Sequence, residues 1–517
     1  MNWFAQSLMA FFGSKATEIF TRHDRGNRRW KDFILASGSL LLTIFLQAQL
    51  FAMDSQRPNI VVILVDDMGY GDPQCYNPMS KIPTPNIDRL AREGMRFLDA
   101  HSPGALCHPS RYGLLTGQYP FRTNISKWPT QPLIEPEQST FASMLREAGY
   151  RTSMVGKWHL GFEELGYDKI LAGGPQDRGF DSFFGMRAST DIPPYFFIRG
   201  DRAEEPPTLS IEGSQSPDWS PIQGAFWRAG RIASKMKLDR VLETFTNEAI
   251  EIIHNHTQQE PIGRKPFLLY LAYTGPHTPW LPSTEFVGKS GAGLYGDFAM
   301  MVDSEIGRVL KSLDEHQLVK DTLVLFTSDN GPTWYPENTQ KFGHDSAGGW
   351  RGMKADLWEA GHRMPFIVRW PKEVQPGSIS TQTICFTDFY ATLADMIGVD
   401  ISRNNRLDST SFLPVLTARQ QEDQPIRGPI VIRAGSTNAM MIRNGHWKLI
   451  DQLGSGGFTQ PSRIVPKTGE PIGQLYNLQW DPKESNNLYA EHPDIVQYLT
   501  QEMTRIVANK TPLSTNP

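Results

Sequence analysis

The stretch Asn59-Ile60-Val61-Val62-Ile63-Leu64-Val65-Asp66-Asp67 decides how this chain folds. It is apolar and largely β-branched without interruption, so it reads as a strand covered on both faces, which is how strands of parallel sheets are buried. It then ends abruptly in two carboxylates. Three later stretches repeat the arrangement. Residues 151–155 run into Gly156-Lys157-Trp158-His159, residues 266–273 into Gly275-Pro276-His277, and residues 322–327 into Asp329-Asn330. In parallel α/β sheets ligands bind beyond the carboxyl ends of the strands. Four strands that deliver polar residues at those ends therefore predict one shared site.

Helix signals lie between the strands. Thr84 stands where a cap belongs, with Pro85 in the first turn, apolar Ile87, Leu90 and Ala91 in one stripe, and Gly94 as a stop. Residues 141–147 end at Gly149 and residues 389–397 at Gly398 in the same way. Alternation of strand and helix predicts an α/β fold: a central, mostly parallel sheet flanked by helices. Beyond about residue 425 the pattern changes to short runs at 429–433, 439–443 and 446–450, turn-rich loops including 454–457, and a closing helix at 494–508. We expect a main domain over 54–424 and a smaller C-terminal α+β domain over 425–517.

With 51 Lys and Arg against 55 Asp and Glu, the formal net charge is -4. That balance argues against nucleic acid as a partner and gives no global attraction to an anionic ligand, so any anion site must be local. Three cysteines, Cys75, Cys107 and Cys385, are too few for a disulfide framework. Residues 1–53 carry a basic stretch with Arg22, Arg25, Arg28, Arg29 and Lys31, an apolar run over 33–46, then Gln47, Gln49 and the small Ala52. That order fits a secretory signal peptide, with an uncleaved anchor over 33–53 as the alternative. Either way the rest of the chain is expected outside the cytoplasm, periplasmic or secreted.

Asp66 and Asp67 are adjacent, so on a regular strand they would face opposite ways. To act together they must sit where the strand breaks into Met68-Gly69-Tyr70-Gly71-Asp72. Together with Asp329 and Asn330 they form a set of hard oxygen donors, which suits Ca2+, with Mg2+ as the alternative.

The run Cys107-His108-Pro109-Ser110-Arg111-Tyr112-Gly113-Leu114-Leu115-Thr116-Gly117 resembles the signature of the type I sulfatases, within the alkaline phosphatase superfamily. The arylsulfatase and N-acetylgalactosamine-sulfatase branch is most similar. The resemblance implies an alkaline-phosphatase-like sheet and the conversion of Cys107 to formylglycine by a formylglycine-generating or anaerobic sulfatase-maturating enzyme. One hydroxyl of the hydrated aldehyde attacks sulfur and the other later drives sulfate out. Carried over residue by residue, the likeness makes Asp66, Asp67, Cys107, Asp329 and Asn330 the ligands of one Ca2+. Arg111 would steady the hydrate, Lys157 bind a sulfate oxygen, and His159 bind or deprotonate the nucleophile. His277 and Lys354 would bind sulfate and protonate the leaving alcohol. The surroundings of Lys354, Arg351-Gly352-Met353-Lys354 and Trp358-Glu359-Ala360-Gly361-His362-Arg363-Met364-Pro365, resemble the family too. Ser189, Thr190 and Asp191 do not align with its pattern and receive no role. Cys75 and Cys385 remain able to pair in an oxidising compartment.

The implied reaction is hydrolysis of a sulfate monoester, either a sulfated carbohydrate or an aryl sulfate. Residues 198–237 read as a long loop carrying Trp219, Trp227, Arg228 and Arg231. Aromatic and basic side chains together suit a sulfated sugar, and a loop packed on its own aromatics is the competing reading. Trp128, Trp334, Tyr335 and Trp350 near the motifs favour carbohydrate. Two other functions stay open: a phosphoester or phosphonate monoester hydrolase using the same nucleophile, and a non-catalytic binder of sulfated glycans in which Cys107 stays a thiol.

Overall fold

Strand β1 (Asn59–Asp66) is buried at every position, as an uninterrupted apolar run requires. The computed structural model describes residues 57–216, 220, 222–260, 264–401 and 407–508, so the targeting segment expected over residues 1–53 lies outside the described residues. No described helix is long and apolar enough to cross a membrane.

Following β1 along the chain come helix α1 (Pro85–Glu93), strand β2 (Met95–His101), helices α2 (Cys107–Thr116) and α3 (Phe141–Glu147), and strands β3 (Arg151–Lys157) and β4 (Ser182–Met186). Short strands β5 (Ile198–Arg199), β6 (Arg202–Ala203), β7 (Leu209–Ile211) and β8 (Gly230–Ile232) precede helix α4 (Val241–Thr257). Strand β9 (Phe267–Pro276), helix α5 (Gly293–Glu315) and strand β10 (Thr322–Ser328) follow. After them come β11 (Arg363–Arg369), β12 (Ser378–Ser380), β13 (Ile384–Cys385) and helix α6 (Asp388–Ile397). The main sheet runs β12-β2-β11-β10-β1-β9-β3-β4-β5-β6, with β13 also pairing β2. Its centre is parallel: β1 lies between β10 and β9, and β3 between β9 and β4. The expected α/β architecture is present, and all four polar strand ends emerge at the same edge.

Strands β2 and β11 were not legible from composition. Strand β11 is antiparallel to both β10 and β2, and its sequence opens and closes on arginine with Pro365 inside. The structure accommodates each oddity. Pro365 falls where the register with β2 shifts, between Met364 and Phe366, so its missing N–H breaks no regular ladder. Arg363 pairs with Asp99 at 2.6 Å and Glu359 at 2.8 Å, and Arg369 with Glu93 at 2.9 Å.

Helix α1 begins at Pro85 as expected, but Thr84 makes no capping bond. Asp303 on α5 takes that part instead, accepting from the Asn86 and Ile87 N–H groups at 3.2 and 2.8 Å. A carboxylate from another helix satisfies these donors better than a local hydroxyl. Gly398 ends α6 in the left-handed conformation at φ 72°, but Gly94 is extended. The stretch 198–237 is not one open loop, because β7 and β8 pair in it as a hairpin and Trp227 Nε1 donates to the Glu212 carbonyl at 2.9 Å. Trp219 lies outside the described residues.

A second sheet, β14 (Ile430–Arg433), β15 (Met440–Asn444), β16 (Trp447–Ile450) and β17 (Gln474–Asn477), is antiparallel throughout and carries helix α7 (Pro493–Ala508). Charged side chains tie it to the main sheet. Arg443 on β15 donates to both oxygens of Asp99 on β2, at 2.7 and 2.8 Å. Lys448 on β16 reaches Glu359 at 3.0 Å and Glu484 at 2.8 Å. His101 and His362 meet ring to ring at 2.9 Å inside this cluster. His101, Glu359 and His362 could geometrically hold a metal, but Arg443 and Lys448 already compensate their charge. Cys75 is half-buried and Cys385 buried, and both are free thiols, so the pairing left open by the sequence does not occur.

Candidate active site

Asp67 solves the problem of two adjacent carboxylates. Its φ of 65° is left-handed, a conformation that Asp tolerates better than most residues, and it turns the chain sharply at the end of β1. Asp72 then braces the loop, accepting from Gly69 N–H at 2.6 Å, from the Tyr295 hydroxyl, and meeting His344 Nε2 at 2.8 Å. The ladder to β9 also shifts register between Leu64 and Asp66.

Cys107 is the first residue of α2, where unpaired N–H groups and the helix dipole favour negative charge. Its Sγ lies 3.4 Å from Asp66 Oδ1 and 4.0 Å from Asp67 Oδ1. Burial, with Asp329 and Asp66 close by, pushes the thiol well above its ordinary pKa. An unmodified Cys107 is therefore a poor thiolate nucleophile.

Arg111, one turn along α2, donates from Nε to Asp329 Oδ2 at 2.8 Å and from Nη1 to the Lys157 carbonyl at 3.0 Å, and its Nη2 lies in ion-pair contact with the same Asp329 oxygen at 2.7 Å. It holds Asp329 in place. Asp329 Oδ1 is left 3.4 Å from the Asp67 N–H. Burial first, then the Asp66 charge, raises the Asp329 carboxyl to about 6. Asp66 goes the other way: burial alone would raise it, but Lys157, His277, Arg111 and Lys354 together hold it far below the usual carboxylate range.

Lys157 Nζ contacts Asp66 Oδ2. Lys354 Nζ donates to Asp67 Oδ1 and Oδ2 at 2.6 and 2.7 Å. Burial would depress the Lys354 ammonium, but Asp67 against it raises it above the ordinary lysine value. His277 Nδ1 meets the Thr278 carbonyl at 2.6 Å. A carbonyl only accepts, so this nitrogen carries the proton and Nε2 faces Asp67 Oδ2 at 3.6 Å. His159, at φ 61°, is buried, and among the described residues neither of its ring nitrogens is hydrogen-bonded. Burial, then Lys157 and His108, keep it well below its usual pKa and neutral.

The residues present fit a hard cation. Asp66, Asp67, Cys107 and His277 each offer a ligand atom, all within 4.8 Å of one another. Asn330 Nδ2 donates to Asp67 Oδ1 at 2.6 Å, while its buried Oδ1 has no donor among the described residues. An orphaned amide oxygen beside clustered carboxylates is a natural place for Ca2+ or Mg2+. The structure thus brings together every site residue expected from the sequence, and it places His277 nearer the carboxylates than sequence order suggests.

These groups open into a cavity of about 340 Å3 lined by Cys107, His159, His277, Lys354 and Asp67. Its apolar wall includes Trp128, Ile192, Trp280 and Phe458. Trp128 stacks on His108 at 5.1 Å and meets His159 edge-on at 4.6 Å. Trp334 and Trp350 line a neighbouring groove instead. Ser189 and Asp191, which received no role from sequence, also face the cavity. Ser189 Oγ donates to Asp191 Oδ1 at 2.6 Å, and that oxygen lies 3.9 Å from His277 Nδ1. Only spatial proximity reveals them.

The sequence model of the sulfatase family matches residues 58–399. An N-acetylgalactosamine-6-O-sulfatase of Bacteroides thetaiotaomicron is 33% identical over 489 residues, covering 87% of this chain and 93% of that protein. Human steryl-sulfatase is 30% identical over 435 residues, covering 74% and 73%. A solved Bacteroides thetaiotaomicron structure, described with the metabolism of multiple glycosaminoglycans, superposes with a TM-score of 0.75 at 31% identity, covering 87% of this chain and 99% of that one.

Proposed function

The chain belongs to the sulfatase family and is a sulfuric ester hydrolase, and on that premise we propose that it removes sulfate from a sulfated carbohydrate outside the cytoplasm, using formylglycine made from Cys107 and one bound Ca2+. The observation that carries this reading is the seat of Cys107: the start of a helix, 3.4 Å from Asp66, with Lys157 and Lys354 beside the same carboxylates. The 33% identical relative, spanning nearly its whole length, supports a sulfated sugar as substrate.

Asp66, Asp67, Asp329 and Asn330 would hold the cation, which supplies charge stabilisation for the nucleophile and for a sulfate oxygen. The hydrated aldehyde supplies two hydroxyls on one carbon, so a single residue can attack and later release sulfate. The other residues bind and orient. Lys157 and Lys354 present ammonium groups to the sulfate oxygens, and the N-terminus of α2 adds its dipole. Arg111 keeps Asp329 from drifting. Neutral His159, which lines the cavity with Cys107 and has both ring nitrogens open among the described residues, would bind the attacking hydroxyl. His277, with its proton on Nδ1, would help to position the ester from the cavity wall, and the Lys354 ammonium would supply the proton to the leaving oxygen. Trp128 and Trp280 exclude water and offer flat faces to a sugar ring.

The test is the mass of the Cys107 peptide from protein co-expressed with a maturating enzyme, together with turnover of sulfate and phosphate esters. We expect a peptide about 18 Da lighter than the thiol form, and sulfate release that Cys107→Ala abolishes. An unmodified thiol in active protein overturns the nucleophile. Faster turnover of phosphate than sulfate esters overturns the substrate class.

A further inference from the structure

The cavity that holds Cys107 is also lined by a cation outside the proposed sulfate-binding set. Lys354 and Arg228 both face it, and Lys354 belongs to that set whereas Arg228 does not. Arg228 stands just before β8 and lines the same cavity as the residues at the strand ends. Its backbone is already secured: its N–H donates to the Asp191 carbonyl at 3.2 Å, and the Tyr195 hydroxyl donates to its carbonyl at 2.7 Å. The guanidinium is therefore not needed to hold the segment in place.

That guanidinium is nevertheless well oriented. Nη1 donates to Asp191 Oδ2 at 2.5 Å and to the Asp191 carbonyl at 3.3 Å. The group lies 5.1 Å from the centre of the Phe226 ring. Among the described residues Nε and Nη2 have no partner, and the side chain is 48% exposed. Asp191 shares its own charge with the Ser189 hydroxyl and the His277 ring, so it does not form an isolated pair with Arg228. An arginine anchored at one nitrogen, with N–H groups still open, is preorganised to accept a planar or tetrahedral oxyanion. The cavity that Arg228 shares with Cys107 has an apolar wall of Trp128, Ile192, Trp280 and Phe458, which suits the body of a sugar and leaves Arg228 to read charge.

We propose that Arg228 is a specificity-determining residue that binds a second oxyanion of the substrate, a carboxylate or a further sulfate, on the sugar bearing the scissile ester or on its neighbour. This rests on the sulfatase reading above and narrows its substrate to a multiply anionic saccharide.

The experiment compares three disaccharides with matured full-length enzyme. One carries only the scissile sulfate, one adds a uronic acid, and one adds a second sulfate. Wild type should favour one of the two dianionic substrates by about tenfold or more in kcat/KM, chiefly through KM, and the favoured arm identifies the oxyanion. Arg228→Gln should bring the ratio to near unity, and Arg228→Lys should retain part of it. Because the readout is a ratio, general loosening around Asp191 cancels. A wild type with no preference, or a preference that survives Arg228→Gln, overturns the proposal while leaving the sulfatase reading intact. Failure of matured wild type to release sulfate from any of the three refutes that reading and this one with it.

Discussion

Lys354 Nζ bonds both carboxylate oxygens of Asp67, at 2.6 and 2.7 Å. Lys354 sits on the loop before β11 and Asp67 at the end of β1, so the bond joins two distant parts of the chain across the site. Lys354→Met leaves Asp67 buried beside Asp66 without its counter-ion. In chelator the variant should lose about 3–5 kcal/mol of stability, and added Ca2+ should recover more of its melting temperature than it adds to wild type. Sulfate release should fall by about a hundredfold or more. A melting temperature equal to wild type in chelator would show the pair to be incidental.

Asn330 Oδ1 is a buried acceptor without a donor among the described residues, and we assign it to the cation. Asn330→Ala should raise the Ca2+ concentration needed for half-maximal activity by about 10–100-fold, while circular dichroism stays native. Titration of chelated enzyme with Ca2+ measures this. An unchanged requirement would remove Asn330 from the ligand set.

Gly156 precedes Lys157 in β3 at φ 112°, and a Cβ there would lie 1.9 Å from the Ala272 carbonyl oxygen. Left-handed backbone and a clash with main chain oppose any side chain. Gly156→Ala should cost about 3 kcal/mol or more, read as a lowered melting temperature or insoluble expression. Gly149, with φ 95° but open space around the missing Cβ, is the control. Gly149→Ala should cost only about 1 kcal/mol, and equal effects at both sites would show that the clash is not decisive.

The ionic cluster between the two sheets makes the protein acid-sensitive. Burial lowers His101 from 6.5 to about 4 despite Asp99 beside it. A histidine held neutral in the folded state contributes stability above pH 6.5. As pH falls from 6.5 toward 4, the unfolded chain takes up a proton that the folded chain refuses, so stability falls. For His101 this amounts to at most about 3 kcal/mol. Melting temperatures of wild type and His101→Asn at pH 7 and pH 4.5 test it. The variant should lose less between the two pH values, and an equal loss would place the acid sensitivity elsewhere.

The parts of this protein readable from sequence are those whose physics is local. The β-branched run before Asp66 can only be a doubly covered strand, and it is buried along its whole length. Pro109 and Arg111 fit a helix starting at Cys107, and one starts there. Strand β11 was hidden because Pro365 and two arginines look unlike a central strand until the bulge and the carboxylates of Asp99, Glu359 and Glu93 are in view. Thr84 was the wrong cap because Asp303, far along the chain, reaches the same N–H groups.

Sequence by itself determined the strands and the polar groups at their ends, because hydrophobic period and residue type act over a few neighbours, and the resemblance of the Cys107 motif to the sulfatases pointed to the family. Tertiary structure alone decided which charges meet. It gave Lys354 to Asp67, Arg111 to Asp329 and Arg228 to Asp191, and among the described residues it left Asn330 Oδ1 and the His159 ring nitrogens without hydrogen-bond partners. Electrostatic pairing and burial depend on distance through space, and only the packed sheet sets those distances.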